Sequence, residues 1–169
     1  AFEQAAAVRP PLGGPAGNRL ARIEHKLALV HHRQGDWELA ESHFEAAQDA
    51  WPADDAAGLA HLLADRSLNA HRRGSVRQAE AWAKEALRLA GEAQDKASLA
   101  RAHNALGMLA RSRDDLALAA EHLVQGLALA AALDDPASRV AALNNLALVR
   151  RAQGNTAGAL ELTPQALAS

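Results

Sequence analysis

Apolar positions recur every three or four residues through most of the chain, which is the spacing of one buried face of an α-helix. Near the end of the chain, for example, Leu143, Leu146 and Val149 keep this spacing, and polar residues fall between them. Short polar stretches with glycine or paired aspartates interrupt the pattern at regular intervals. The pattern therefore predicts a series of helices joined by short turns.

The interruptions have a period of about forty residues. A D-x-A-[SG] tetrad begins forty residues apart at Asp55, Asp95 and Asp135. A turn signal recurs in each copy, at Gly35, Gly74, Asp114 and Gly154. Five residues beyond each turn stands an alanine: Ala40, Ala79, Ala119 and Ala159. Self-similarity at a fixed period indicates a repeat architecture. We expect two helices in each copy, and at the start of the last copy we expect Asp135 to cap a helix that has Pro136 in its first turn.

The period divides the chain into four copies, at about 18–54, 55–94, 95–134 and 135–169. The first helix of each copy is assigned to residues 21–34, 60–73, 100–113 and 140–153. Residues 1–10 repeat the spacing of residues 43–52, so they are interpreted as the tail of a preceding repeat, and residues 11–17 as a linker. A chain that starts within a repeat is expected to be part of a longer protein.

The first copy carries a recognisable set of small and aromatic positions. These are Gly35, Ala40, Phe44, Ala47 and Pro52. In this spacing they resemble the second half of the tetratricopeptide repeat (TPR), in particular the long-repeat type of kinesin light chains, cell-polarity scaffolds and the sensor arms of bacterial transcription regulators. The resemblance implies an all-α, right-handed superhelical solenoid of four helical hairpins. It also implies that the first helix of each hairpin lines a concave groove.

Four positions depart from the TPR pattern. Arg66 stands where a leucine is expected, Ala83 corresponds to Phe44, and Gly126 replaces an alanine of the second helix. Pro164 lies inside the last predicted helix, where it should kink or end it. The fourth copy is therefore expected to be frayed or truncated.

Composition narrows the function classes. Aromatic residues make up 3% of the chain, and there is no tyrosine or cysteine. This composition favours close helix packing and excludes disulfides, in keeping with a cytoplasmic location. We find no membrane-spanning run and no signal-peptide pattern. No nucleotide, metalloprotease or nucleophile-elbow motif is present, so neither an enzyme nor a cofactor is predicted.

Charge is divided unequally between the two helices of each copy. The first-helix segments hold eleven of the 18 lysines and arginines and six of the eight histidines. They hold two of the 20 acidic residues, Glu24 and Asp65. A nearly neutral chain is thus predicted to have a basic concave side and an acidic remainder.

In the family, the second, fifth, ninth and twelfth positions of each first helix project into the groove. The second positions hold Arg22, His61, Arg101 and Ala141, and the fifth hold His25, Ala64, Asn104 and Asn144. The ninth positions form an apolar column of Leu29, Leu68, Met108 and Leu148. The twelfth form a basic column of His32, His71, Arg111 and Arg151. Apolar contacts, amides and cations together favour a peptide ligand with apolar and acidic groups.

Each column has a structural alternative. The ninth positions could pack against the next repeat, the twelfth could complement helix dipoles, and the asparagines could simply face solvent. A metal site on the groove histidines is not favoured, since cysteines and a close carboxylate pattern are lacking. His43 and His122 are interpreted as surface residues, and the paired aspartates at turns as caps.

The sequence thus predicts a non-catalytic protein- or peptide-binding module, from a larger regulatory or scaffolding protein. Nucleic-acid binding through the basic groove is one alternative, although the first-helix segments contain no aromatic residue for base stacking. Self-association is another, because the ends of a solenoid expose apolar faces through which a homodimer could form.

Overall fold

The computed structural model describes residues 15–167, and the side chains of residues 17–160 and 162. This part of the chain contains eight helices and no strand. They are α1 (Pro15–Gln34), α2 (Trp37–Asp49), α3 (Ala56–Arg72), α4 (Val76–Glu92), α5 (Lys96–Ser112), α6 (Leu116–Ala132), α7 (Pro136–Ala152) and α8 (Thr156–Leu167).

The helices form four hairpins stacked in chain order. Each odd-numbered helix packs against the even-numbered helix that follows it, and each hairpin packs against the next. Each odd-numbered helix also contacts the next odd-numbered helix, whereas within residues 15–167 the even-numbered helices do not contact one another. The first helices therefore form the tighter, inner layer of a curved stack, and the predicted all-α solenoid of four helical hairpins is confirmed.

Left-handed backbone conformations make the turns within each hairpin. Gly35, Gly74 and Gly154 have φ values of 87°, 79° and 80°, and Asp114 has a φ of 63° at the third turn. Glycine adopts this region without steric cost, and aspartate is among the side chains that tolerate it. The turn positions inferred from the sequence are therefore correct.

The D-x-A-[SG] tetrad starts each of the three later first helices. The carboxylates of Asp55, Asp95 and Asp135 accept hydrogen bonds from the backbone N–H three residues later, at 2.8, 2.7 and 3.1 Å. The last residue of the tetrad is small because it lies between hairpins: a Cβ at Gly58 would lie 2.6 Å from the Trp51 ring. The capping interpretation of Asp55 and Asp135 is confirmed, and Asp95 caps its helix in the same way.

Small residues let the two helices of a hairpin approach closely. A Cβ at Gly107 would lie 2.6 Å from Cγ of Leu123, one of the largest fully buried side chains. A Cβ at Gly126 would lie 3.1 Å from the carbonyl oxygen of Ala100. The glycine at position 126 is thus explained by the close contact of α5 and α6.

Arg66 occupies a buried polar junction between the first two hairpins. Its guanidinium donates to the Glu41 carboxylate at 2.6 and 2.9 Å and to the side chain of Gln48. It also lies over the Trp82 ring, 4.0 Å from the centroid. The arginine therefore replaces the expected leucine because α2 supplies a carboxylate to meet it.

Several helix bounds differ from those expected. Helix α1 begins at Pro15, within the stretch expected to be a linker, and the later first helices begin four residues before the assigned segments, at their aspartate caps. Helix α8 continues through Pro164 to Leu167, so the proline does not end it. Residues 1–10, interpreted as the tail of a preceding repeat, lie outside the described residues.

Candidate functional site

A cavity of about 240 Å³ lies on the concave side, between α3, α5 and α7. Five of its lining residues belong to the columns expected from the sequence: Leu68, Arg101, Asn104, Ala64 and Ala141. Its other lining residues are Arg33, Asp65, Ser138, Ala100 and Ala137. The cavity combines cationic, amide and apolar groups within one small volume.

Asp65 is the centre of a polar cluster in the wall of this cavity. Its carboxylate lies 3.0 Å from Nε2 of His25, 3.5 Å from Nε2 of His61 and 3.8 Å from a guanidinium nitrogen of Arg101. Burial would raise the pKa of Asp65, but the His25 hydrogen bond and the charges of His61 and Arg101 outweigh burial and lower it. Asp65 is therefore an anion held beneath the concave surface.

His25 and His61 differ in their access to the groove. His25 is 8% exposed, packed near the rings of Phe44 and Trp51, so its predicted groove-facing position is in fact a contact between repeats. His61 is half-buried, and burial lowers its pKa despite the nearby Asp65. Arg22, at the edge of the array, pairs with Asp55 at 3.4 Å.

The fifth and sixth positions of successive first helices form a ladder between repeats. His25 bonds to Asp65 in the first step, and Asn145 donates to Asn104 at 2.9 Å in the third. The middle step has alanine on both sides, Ala64 and Ala105, and both are buried. Sequence reasoning selected the fifth positions and missed their partners at the sixth.

Asn144 lies apart from the central cavity. It is exposed in a separate cleft between α7 and α8, together with Leu148, Arg151 and Leu160. The residues predicted as one continuous groove surface are therefore not brought together: Leu68, Arg101, Asn104, Ala64 and Ala141 line the central cavity, Asn144, Leu148 and Arg151 line this terminal cleft, and the others line neither.

The ninth-position column is half-buried throughout rather than exposed. Leu29 and Leu68 pack against buried core clusters, so the packing alternative describes them in part. Leu68 also faces the cavity, and the Met108 sulfur lies 4.0 Å from the Asn104 amide.

The twelfth-position column is basic but uneven. His32 Nδ1 lies 3.0 Å from the side-chain oxygen of Asn69. His71 and Arg111 are half-buried, and the pKa of His71 is lowered by burial and by the charges of Arg72 and Arg111. Arg151 is exposed in the terminal cleft.

Part of the basic excess of the first helices does not face the groove. Arg66 and Arg73 pair with Glu41 and Glu38 of α2. Arg113 pairs with Glu80 of α4 at 2.7 Å. These arginines join each first helix to the preceding second helix, so the segregation of charge along the sequence partly reflects salt bridges between repeats.

Known proteins that share this architecture identify the repeat. The tetratricopeptide repeat family model matches residues 19–92. The chain has the fold of a TPR solenoid. The resemblance to TPR arrays of the kinesin light-chain type that was inferred from the sequence is confirmed.

Solved TPR structures superpose on most of the chain. BtubC (BKLC) from P. vanneervenii is 23% identical with a TM-score of 0.69, over 89% of this chain and 63% of that one. The kinesin light chain nearly identical TPR-like repeats of Podosopora anserina are 21% identical with a TM-score of 0.66, over 90% and 75%. At these identities the likeness shows the fold, and the chain spans less than two thirds of BtubC. A search among curated proteins finds no match to the sequence.

Two outer-helix histidines of the TPR array, His43 and His122, were expected to be surface residues and are half-buried, with partners on the first helix of their hairpin. His43 lies 2.7 Å from the Glu24 carboxylate and stacks on His31, with ring centroids 5.2 Å apart. His122 and His103 face each other through their Nδ1 atoms at 3.0 Å. Burial lowers the pKa of both members of this second pair. These histidines join the two helices of their hairpins.

Two negative findings apply to the part of the TPR array that the structure describes. No group of three or more histidine, cysteine, aspartate or glutamate side chains is arranged to hold a metal ion. Nor is any helix within residues 15–167 both long and apolar enough to span a bilayer.

Proposed function

We propose that the concave surface binds a peptide segment of a partner protein through an acidic side chain next to an apolar one. TPR folds generally mediate protein–protein interaction, and scaffolds of this kind are generally non-catalytic. The observation that supports this ligand class is the central cavity, where Arg33 and Arg101 lie beside Leu68. The module would act in a larger regulatory or scaffolding protein of the cytoplasm.

Arg101 is the proposed carboxylate anchor. Its nearest acidic group, Asp65, is 3.8 Å away, and its side chain is 40% exposed. This distance is too long for a hydrogen bond, so the planar guanidinium keeps donors for a ligand carboxylate. Arg33, exposed on α1, adds a second positive charge at the same cavity.

Asn104 is the proposed contact to the peptide backbone. Its side-chain oxygen accepts from Asn145, which fixes the amide orientation. Its nitrogen makes only a long contact to the Met108 sulfur among the described residues. The nitrogen therefore has donor capacity for a ligand carbonyl, and Leu68 offers the adjoining apolar surface.

The test is binding of labelled peptide arrays that differ only in Glu against Gln beside a leucine. We expect the Glu peptides to bind more tightly, with affinity that falls as salt rises. Arg101→Glu and Arg33→Glu should each weaken binding at least about tenfold, because a like charge replaces the anchor. Arg77→Glu, an exposed arginine of α4, is the matched control.

Two outcomes would contradict the proposal. The first is a peptide affinity that none of Arg101→Glu, Arg33→Glu and Arg77→Glu changes, which would place the site elsewhere. If Asn144→Ala or Arg151→Glu then removed binding, the terminal cleft would be the site. Micromolar oligonucleotide binding with a steep salt dependence, in the absence of peptide binding, would favour the nucleic-acid alternative.

A further inference from the structure

His61 lies outside the central cavity but shares a carboxylate with the proposed peptide anchor. Its Nε2 atom is 3.5 Å from one oxygen of Asp65, and a guanidinium nitrogen of Arg101 is 3.8 Å from the other oxygen. Asp65 and Arg101 line the cavity, whereas His61 does not. The imidazole is therefore placed to change the charge around the anchor without contacting the ligand.

Four ionisable side chains of the concave layer surround His61. Asp65 lies one turn later in α3, His25 lies on α1, and Arg101 and the Asp95 cap belong to the α5 segment. Burial lowers the pKa of His61, and the charges of Arg101 and His25 lower it further, against the opposing effect of Asp65 and Asp95. The imidazole is therefore largely neutral at pH 7.5 and takes up a proton only below pH 6.5.

The second helices that pack on α3 direct their ion pairs to other residues. Their salt bridges join Glu38 to Arg73 and Glu41 to Arg66 in the case of α2, and in the case of α4 they join Glu80 to Lys84 and Arg113, and Arg88 to Glu85 and Glu92. The charge of His61 thus acts on the cavity chiefly through Asp65 and Arg101.

Asp65 remains an anion while His61 titrates. Burial, which would raise the pKa of Asp65, is outweighed by the His25 hydrogen bond and by the charges of His61 and Arg101. When His61 is neutral, Asp65 offsets much of the positive charge that Arg101 offers to a ligand. A protonated His61 offsets Asp65 in turn, so a ligand carboxylate at Arg101 is then attracted more strongly.

We propose that protonation of His61 and binding of an acidic peptide in the central cavity are coupled, so that the peptide binds more tightly in mild acid than at neutral pH. This inference rests on the proposed function, since it needs a ligand carboxylate at Arg101. The coupling is reciprocal. A carboxylate that neutralises Arg101 removes a charge that opposes protonation, so the bound peptide raises the pKa of His61.

The first test is the affinity of the full chain for a labelled Glu–Leu peptide between pH 7.5 and 5.5, by fluorescence anisotropy at constant ionic strength. The peptide carboxylate stays ionised in this range, because its ordinary pKa is about 4.3. The wild type should bind about threefold more tightly at pH 5.5, since a pKa rise of about one unit on binding allows at most about a tenfold gain. Circular dichroism at each pH checks that the chain is folded.

Two histidine variants locate the effect. His61→Gln should bind with one affinity across the range, because its amide does not titrate. His122→Gln removes a histidine whose pKa is also lowered by burial, from the outer pair with His103, and should keep the pH dependence of the wild type.

A second test observes His61 in the wild-type chain. Its imidazole C–H signals in the NMR spectrum, assigned by their loss in His61→Gln, report the pKa of the ring. A saturating Glu–Leu peptide should raise this pKa, and the same concentration of the matched Gln–Leu peptide should leave it unchanged.

The outcomes separate this inference from the proposed function. If no Glu–Leu peptide binds at any pH, both fail. If the peptide binds and Arg101→Glu weakens it, the proposed function stands. In that case an affinity that is independent of pH, or that changes equally with pH in the wild type and His61→Gln, overturns the coupling. A His61 pKa that the bound Glu–Leu peptide leaves unchanged also overturns it.

Discussion

The side-chain amide of Asn145 donates a hydrogen bond to the side-chain oxygen of Asn104, 2.9 Å away in the preceding repeat. Asparagine is a poor residue for a helix interior, because its amide competes for backbone groups. Here the amide has a partner on a neighbouring helix. The His25–Asp65 pair occupies the equivalent place two junctions earlier, so the concave layer is joined by polar steps that differ in chemistry.

Removing this amide pair should cost stability. Asn145→Ala leaves the Asn104 oxygen without its donor, and we expect the free energy of unfolding to fall by about 1 kcal/mol. Asn144→Ala, at the adjacent exposed position, should change it by less than about 0.5 kcal/mol. Urea denaturation measures both effects, and with Asn104→Ala and the Asn104→Ala, Asn145→Ala double mutant added it also measures the coupling of the pair. Equal effects of Asn144→Ala and Asn145→Ala would contradict the role of the pair.

The buried ion pair at the first junction should be sensitive to the loss of one partner. Glu41→Ala leaves the Arg66 guanidinium buried without its carboxylate, at an expected cost of about 3–5 kcal/mol. The double variant Glu41→Ala, Arg66→Leu has an alanine facing a leucine, as Ala120 and Leu146 do at the third junction. It should recover at least about half of the free energy of unfolding that Glu41→Ala loses. Thermal denaturation followed by circular dichroism provides the comparison. A double variant less stable than Glu41→Ala would show that the junction requires the charges.

Alanine substitutions at two helical glycines, Gly107 and Gly91, should change the free energy of unfolding in opposite directions. Gly107→Ala would place a Cβ 2.6 Å from Leu123 Cγ and should destabilise the array by about 1–3 kcal/mol. Gly91→Ala, in α4 with no atom within 4 Å of the new Cβ, should stabilise it by about 0.5–1 kcal/mol. Urea denaturation measures both changes. A destabilising Gly91→Ala would contradict the helix-propensity argument.

Stability should fall as the pH is lowered from about 7.5 to 5.5. Burial lowers the pKa of His103 and His122 below the 6.5 of the unfolded chain. Below pH 6.5 the unfolded state therefore binds more protons, so acid favours unfolding. Asp65, whose pKa is lowered, keeps its stabilising charge through this range and loses it as the pH falls below about 3.8 through its folded pKa.

The His103–His122 pair gives this pH dependence a specific test. The two Nδ1 atoms share one hydrogen bond at 3.0 Å, and protonation of both rings would place two donors face to face. His122→Gln removes one titrating ring and should flatten the dependence of the melting temperature on pH between 5.5 and 7.5. Melting curves that shift in parallel for wild type and variant would show that this pair is not responsible.

The repeats, turns and caps were readable from the sequence because their signals are local. A glycine in the left-handed region or an aspartate before a helix acts on its immediate neighbours, as Gly74 and Asp95 show. The partners of Arg66 lie 25 and 18 residues earlier in the chain. Comparison with the TPR pattern, which has leucine at this position, therefore shows that Arg66 is unusual but not which residues it contacts.

The site was only partly predictable for the same reason. The contact between a fifth-position side chain and a sixth-position side chain of the next first helix depends on the rotation between successive hairpins. The forty-residue period of the sequence does not specify that rotation. Asp65 and Arg33 were therefore missed as cavity residues. The scarcity of acids on the first helices was the one available signal for Asp65.

The unlike junctions also determine the order in which the repeats can stack. If the third hairpin were skipped, α4 would meet α7, and Glu80 would face Leu146 and Val149, with Gln153 at the position of its present partner Arg113. Such a contact would leave a carboxylate without its cation against apolar side chains, which is unfavourable. The repeats are similar enough to share one fold, but their junctions differ in charge. This difference disfavours misfolded states in which one hairpin takes the place of another.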